Sequence, residues 1–139
     1  METKRSGRVG IQAAIGSAAD GGGNGVAYAR LSGGIGCHLL RVPFRTEAGA
    51  PERAASYAGL TAVARALHGR GVGRVVFLVD DPALLTDLTG HADVPGPLVL
   101  PYVRLRCALN RFHHVRLELG AAADLAQRAR AEVALHVAA

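Results

Sequence analysis

The first part of the chain alternates apolar and other residues in the way that β-strands do. Apolar side chains occupy every second position over residues 9–15, and residues 25–31 and 35–45 are also typical of strands. Turn-forming residues separate these segments, rich in glycine at positions 20–24 and again at 32–34. We therefore expect three consecutive antiparallel strands, with Pro43 favouring an edge position or a bulge in the third strand because proline cannot donate to a ladder.

From residue 52 onward the period changes to that of a helix. Small and apolar residues recur at helical spacing over Glu52–Gly69, and the uninterrupted apolar run Arg74–Val79 then predicts a strand in the middle of a sheet. Further along we expect a helix at 83–88, a proline-rich loop at 92–101, a helix at 102–112, a strand at 114–119 and a helix at 121–137. The order βββαβααβα predicts an α/β (α+β) fold with a five-stranded mixed sheet and helices packed on it.

Length and composition favour one compact unit. The 139 residues suit a single domain, and we expect a disordered tail at residues 1–7 followed by one domain at residues 8–139. No apolar run approaches the roughly 20 residues needed to span a bilayer, and no signal-peptide core follows the charged N-terminus. The expected location is therefore cytoplasmic, with no membrane contact.

The charge of the chain suits a polyanionic partner. The net charge is +5, and fifteen of the sixteen basic residues are arginine, which contacts phosphate in a bidentate manner. Arg104 and Arg111 are seven residues apart on a predicted helix and share a face, which Arg106 and Arg116 can extend. These four arginines are the candidate nucleic-acid-binding residues, although a coding bias toward arginine and an ordinary solvated face would explain them equally well.

Four short phrases, in order, resemble the type 1 ribonuclease H family. ASYAGL at 55–60 is similar to the A-E-Y-x-A-L of its first helix, and VDDPALL at 79–85 to its strand-end D-S-x-L-V. Residues 101–112 resemble the helix before its last strand, and AADLA at 122–126 resembles its N-x-x-A-D-x-L-A. The resemblance covers residues 8 to 130. It implies a ribonuclease H-like fold and, in an active member, cleavage of RNA/DNA hybrids with Mg²⁺ or Mn²⁺.

The same resemblance shows where the chain departs from the family. The family holds two divalent metals with four carboxylates, because hard cations prefer oxygen ligands. The matching positions here are Ala13 or Ala14, then Ser56, Asp80 and Ala123, so Asp80 alone retains a carboxylate. The resemblance therefore implies an RNase H-like protein that binds nucleic acid, either RNA/DNA hybrid or duplex RNA. We expect it to be impaired or inactive as an enzyme and to need no cofactor.

Two alternatives stay open. Asp20, Glu52 and Asp124 each lie near a family position, so a shifted site around Asp80 would give an active metal-dependent ribonuclease. Against this, Asp20 lies six residues beyond Ala14, roughly 20 Å along an extended strand. The other alternative is a scaffold or homo-oligomeric subunit, in which the small-residue helix Glu52–Gly69 or an exposed strand edge contacts protein.

Other candidate groups carry weaker signals. Cys37 and Cys107 have no ligand-like spacing, and we expect both to be packed thiols. His113 and His114 are adjacent at the start of a strand, so their side chains face opposite sides and cannot chelate one ion together. Among the histidines, His91 is nearest to the expected cleft.

Overall fold

The computed structural model describes residues 10–33, 36–90, 94–120 and 122–138. The strands are β1 (Gly10–Ala19), β2 (Asn24–Gly33), β3 (His38–Arg45), β4 (Arg74–Val79) and β5 (His114–Leu119). The helices are α1 (Glu52–Gly69), α2 (Pro82–Thr89), α3 (Val99–Leu109) and α4 (Ala123–Ala138). The predicted tail and His91 lie outside the described residues, and the single-domain boundary stays a prediction.

All five strands form one mixed sheet in the order β3-β2-β1-β4-β5. β1, β2 and β3 form an antiparallel meander, while β4 pairs in parallel with both β1 and β5. Parallel neighbours need a crossover connection, and α1 supplies it between the meander and β4. The predicted α/β architecture and the edge position of Pro43, opposite Val26, are confirmed.

The helices cover the two faces of the sheet unequally. α1, α2 and α3 pack on one face, where Phe77 and Tyr57 are the largest fully buried side chains of the main core. α4 alone packs on the other face, against β1 and β2, and buries a second cluster with Tyr28 and Leu125. Because successive strand residues face opposite ways, the neighbours Ala13 and Ala14 belong to different clusters.

Two glycines allow helices α1 and α4 to pack closely on β1. A Cβ added at Gly16 would lie 2.6 Å from the Leu125 carbonyl carbon, so α4 rests directly on the strand backbone there. Across the sheet, a Cβ at Gly59 of α1 would lie 2.7 Å from the Ser17 Cβ. Both helices therefore lie closer to β1 than they could if a residue larger than glycine stood at position 16 or 59.

Several predicted boundaries are wrong by a few residues. β1 extends to Ala19 because its hairpin register with β2 continues to the pair Ala19–Gly25. α3 begins at Val99, after a 3-10 turn at Gly96–Leu98, and not at residue 102. Pro101 fits its first turn because backbone N–H groups there have no intrahelical partner.

Two further findings concern the surface. Cys37 and Cys107 are both exposed, so the expectation of packed thiols is wrong. No helix among the described residues is long and apolar enough to span a lipid bilayer.

Candidate functional site

A cavity of about 460 Å³ opens where the neighbouring strands β1 and β4 end, between the N-terminus of α1 and the middle of α4. We call it the β4-end cavity. Its charged lining residues are the carboxylates Asp20, Glu52, Asp80 and Asp81 and the arginines Arg53 and Arg130. The ends of parallel strands and a helix N-terminus thus bring charged groups from distant parts of the sequence to one place.

The residues at the family's carboxylate positions do not form a ligand set here. Ala13 is fully buried in the main core, and Ala14 packs against α4. Ser56 lines the β4-end cavity beside Asp80, but α4 contributes Ala126 and Arg130 to the lining and not Ala123. Asp80, which the sequence matches to a family carboxylate, is an exposed residue just after β4.

Asp20, the first relocated candidate, is engaged in its own turn. Its Oδ1 accepts hydrogen bonds from the backbone N–H groups of Gly22 and Asn24, each at 2.9 Å. The backbone hydrogen bond from Asn24 is the largest cause that lowers the Asp20 pKa below its usual value. The expectation that Asp20 belongs to the turn is confirmed, and this oxygen is occupied in holding the hairpin.

Asp81 and Glu52, the other carboxylates near Asp80, stand at the beginnings of helices. Asp81 caps α2, since its Oδ1 accepts a hydrogen bond from the Ala83 N–H at 3.0 Å. Glu52 is exposed at the first residue of α1, where a negative charge is favourable. Both line the β4-end cavity, but their positions follow from the helices that they begin.

Asp124 faces away from this cavity. Its carboxylate pairs with Arg30 of β2, and this hydrogen bond is the largest cause that lowers the Asp124 pKa. Asp124 is not among the residues that line the β4-end cavity. Of the three relocated candidates, the structure thus brings Asp20 and Glu52 to the cavity of Asp80 and leaves Asp124 outside it.

The donor set does not fit the family's pair of metals. Within the described ranges, which omit residues 1–9, 34–35, 91–93, 121 and 139, no three His, Cys, Asp or Glu side chains converge closely enough to hold one ion. Two metals would need several shared oxygens at bonding distance. The carboxylates at the β4-end cavity surround a space and do not form a coordination site.

A buried polar link lies beside the cavity. Asp87 of α2 accepts hydrogen bonds on Oδ2 from the Tyr57 hydroxyl and from the Arg53 guanidinium. Burial, followed by the hydrogen bond with Asp87, raises the pKa of Tyr57 above its usual value. This link fixes Arg53, so Arg130 is the cavity arginine without a carboxylate partner among the described residues.

Sequence reasoning missed both cavity arginines. Arg130 follows Ala123 by seven residues on α4, the same spacing that relates residues on one helical face. The signal is weak, because Ala123 itself does not line the cavity, whereas Ala126, four residues before Arg130, does. Arg53 gave no such signal, because its partner Asp87 is 34 residues away.

The four predicted nucleic-acid-binding arginines do not form one stripe. Arg104 and Arg106 are two residues apart on α3, so they point about 160° apart around its axis. Arg106 turns toward Tyr102, whose hydroxyl oxygen accepts from its Nε at 3.1 Å. Arg111 lies beyond the end of α3 at Leu109, so the expectation that it shares a helical face with Arg104 is wrong.

Arg116 lies on the opposite side of the sheet from α3. Its neighbours Val115 and Leu117 pack on the main core, so the Arg116 side chain faces the other way. There it pairs with Glu118 of the same strand. The expectation that Arg116 extends the α3 stripe is therefore also wrong, because it assumed the wrong face of β5.

Comparisons with known proteins bear on the fold. No protein-family model matches the chain, and no curated protein matches its sequence. The N-terminal RNase H domain of Rv2228c from Mycobacterium tuberculosis superposes with a TM-score of 0.72 at 18% identity, covering 93% of this chain and 99% of that one.

Two further solved structures are similar. RNase H1 from Halobacterium salinarum has a TM-score of 0.72 at 22% identity, covering 91% of this chain and 98% of that one. LC11-RNase H1, isolated from compost by a metagenomic approach, has a TM-score of 0.59 at 13% identity, with coverages of 87% and 90%. At these identities the likeness concerns the arrangement of elements, and the chain has the ribonuclease H-like fold.

Proposed function

We propose that this protein binds the sugar–phosphate backbone of nucleic acid, as RNA/DNA hybrid or duplex RNA, without cleaving it. The observation that carries the proposal is that this RNase H-like fold has Asp80 and Ser56 at the β4-end cavity, while the other positions matched in sequence are alanines outside the cavity lining. The remaining carboxylates nearby serve a turn and helix N-termini. Binding without hydrolysis needs none of them.

The charge distribution supports contact with a polyanion. The net charge is +5, and Arg104, Arg111 and Arg130 are exposed without a carboxylate partner among the described residues. Backbone contact requires cations at suitable spacing and no base-specific geometry. Arg104 lies on α3 and Arg111 lies two residues beyond the end of that helix, so a duplex laid along α3 can reach both.

The test is fluorescence anisotropy with a labelled RNA/DNA hybrid over a series of salt concentrations. Arg104→Glu/Arg111→Glu should weaken binding by about tenfold or more and reduce the salt dependence, because fewer counterions are released. The charge-matched comparison is between the single variants Arg104→Glu and Arg116→Glu, since Arg116 faces the other side of the sheet and is already paired. Equal loss in both variants, or binding that ignores salt, would refute backbone contact at this surface.

A second candidate is an active ribonuclease with a shifted site. The observation that favours it is that Asp20, Glu52, Asp80 and Asp81 line one cavity. The decisive assay is cleavage of a labelled hybrid in Mg²⁺ and in Mn²⁺, with Asp80→Asn alongside. Cleavage that disappears in Asp80→Asn would establish this candidate in place of the first. Folded protein that binds the hybrid and leaves it intact would support binding alone.

A further inference from the structure

A long groove runs over α1 between β3 and α3, with a volume of about 940 Å³. We call it the α1–α3 groove. Alanines spaced one helical turn apart form its floor, and apolar residues of β3 and α3 form its walls. The floor residues are Ala54, Ala58, Ala62 and Ala66, and the wall residues are Val42, Phe44, Leu100 and Pro101.

The floor gives the groove its length. Ala54 and Ala66 are twelve residues apart on α1, which corresponds to roughly 18 Å at the helical rise. An extended segment of about six residues has the same length. The groove therefore suits a short piece of polypeptide with several apolar side chains.

The apolar surface continues beyond the groove along α3. Val99, Leu100 and Val103 are exposed to 46%, 51% and 45%, although all three are large apolar residues on one helix. Large apolar side chains grouped in this way, next to a groove, mark surfaces that contact other molecules. Leu100 joins the two features, because it belongs both to the exposed face and to the groove wall.

The rim of the groove is basic. Arg45, Arg65 and Arg104 line it, against one acidic residue, Glu47. Arg45 donates to the Asn24 side-chain oxygen at 2.7 Å, while Arg65 and Arg104 have no carboxylate partner among the described residues. Unpaired arginines beside an apolar floor complement an occupant that is both acidic and apolar.

We propose that the α1–α3 groove binds an acidic peptide segment with apolar anchor side chains, contributed by another protein. A second copy of this chain would bring the same basic rim and the same net charge of +5, so like charges oppose self-association here. Nucleic acid bases stack on aromatic rings, and the groove lining holds one, Phe44. The proposal does not depend on nucleic-acid binding.

The probe is a fluorescein-labelled peptide of about six residues that alternates Asp with Leu, a length that fills the groove when extended. One control peptide replaces Asp with Asn, and the other replaces Leu with Ser. We expect the first peptide to bind in an anisotropy titration and each control to bind at least about tenfold more weakly. A fluorophore on Cys107 of α3, in a Cys37→Ser background, should respond to the first peptide alone.

Two variants with matched controls locate the binding. Arg65→Ala should weaken binding several-fold, and Arg70→Ala, an exposed arginine just beyond α1, should not. Leu100→Ser should also weaken peptide binding several-fold. Leu119→Ser removes a similarly exposed apolar residue from β5 and should leave peptide binding unchanged. Circular dichroism confirms that each variant is folded.

Three results would overturn the proposal. The first is equal binding of the Asp and Asn peptides, and the second is equal loss in a variant and its control. The third is displacement of the peptide by a short oligonucleotide whose own binding is weakened as much by Leu100→Ser, which would assign the apolar groove itself to nucleic acid. Arg104 belongs to this groove and also to the surface proposed for the hybrid, so the peptide titrations contain no nucleic acid, and failure of hybrid binding leaves their results unaffected.

Discussion

Asp87 shows how one buried carboxylate joins two helices. One of its carboxylate oxygens accepts hydrogen bonds from the Tyr57 hydroxyl and the Arg53 guanidinium, both of α1. The residue is 9% exposed. A buried acceptor with charge-assisted partners contributes more than an ordinary hydrogen bond. The position of α2, which begins beside the β4-end cavity, therefore depends on this residue.

Asp87→Ala should lower the free energy of unfolding by about 2–3 kcal/mol, because it leaves the Tyr57 hydroxyl buried without its acceptor. Urea denaturation measures the change. Thr86→Ala is the control on the same helix, and it should cost about 0.5 kcal/mol or less because Thr86 is exposed. Similar losses in the two variants would show that Asp87 has no special role.

Glu132 predicts a dependence of stability on acid pH. Its pKa is lowered to about 2 by hydrogen bonds from Arg41 and then from Tyr28. A lowered carboxyl pKa stabilises the fold above the unfolded value, and this stabilisation is lost as pH falls from about 4.5 toward 2. Since the pair is largely exposed, the contribution is under about 1 kcal/mol.

The measurement for Glu132 is the urea midpoint at several pH values from neutral down to the acid range. Glu132→Gln should be less stable at neutral pH and should flatten the decline in the acid range. Arg116→Gln, which removes a pair within one exposed strand, should leave the profile unchanged. A parallel decline in all three proteins would remove Glu132 as the cause.

The positions matched to the family lie inside local phrases of the sequence, and this matching stays a prediction. Ser56 and Asp80 were placed in this way, and the structure has them beside one cavity. The partners of Asp124 and Asp87 could not be predicted, because Arg30 and Tyr57 lie 94 and 30 residues away. Such pairs depend on which elements the fold brings together.

At the scale of elements, the contact between α4 and β1 depends on a missing side chain. Gly16 lets the helix backbone at Leu125 and Ala126 rest on the strand, and no side chain separates them. Backbone atoms cannot shift as a flexible side chain can. A methyl group at Gly16 would therefore push α4 away from β1 and loosen the cluster around Tyr28 and Leu125.

Gly16→Ala should lower the free energy of unfolding by about 2–3 kcal/mol through overpacking. Thermal or urea unfolding would show this. Gly21→Ala is the matched control, because a Cβ there meets nothing within 4 Å, and it should be nearly neutral. A neutral Gly16→Ala would mean that α4 adjusts its position at little cost.

Element types were predicted well and their ends less well, for a physical reason. Periodicity identifies a strand or a helix, but the proline-rich composition at 92–101 predicts a loop, whereas Pro101 is acceptable inside the first turn of α3. That shift of three residues placed Arg111 outside the helix. The face of β5 also depends on its pairing with β4, which the local pattern does not contain.

At the scale of the whole molecule, the proposed binding function and the shifted-site alternative differ in their response to metal. The acidic lining of the β4-end cavity contrasts with a net charge of +5. Mn²⁺ at millimolar concentration should leave the thermal midpoint unchanged, because a ligand that does not bind the native state cannot stabilise it. A rise that Asp80→Asn abolishes would indicate a metal site and favour the active enzyme.

Homo-oligomerisation stays a prediction at this scale. β3 and β5 are the two edge strands of the sheet, and strand edges can pair with another chain. A sizing column with light scattering decides between a monomer and an assembly.

The bond between Tyr28 and Glu132 joins residues 104 positions apart, and this separation matters during synthesis. The ribosome adds about 5–20 residues per second, so β2 is exposed for several seconds or more before α4 is made. During that interval the side of the meander with Val26 and Tyr28 has no cover. The nascent chain thus presents an apolar strand surface to chaperones until translation completes α4.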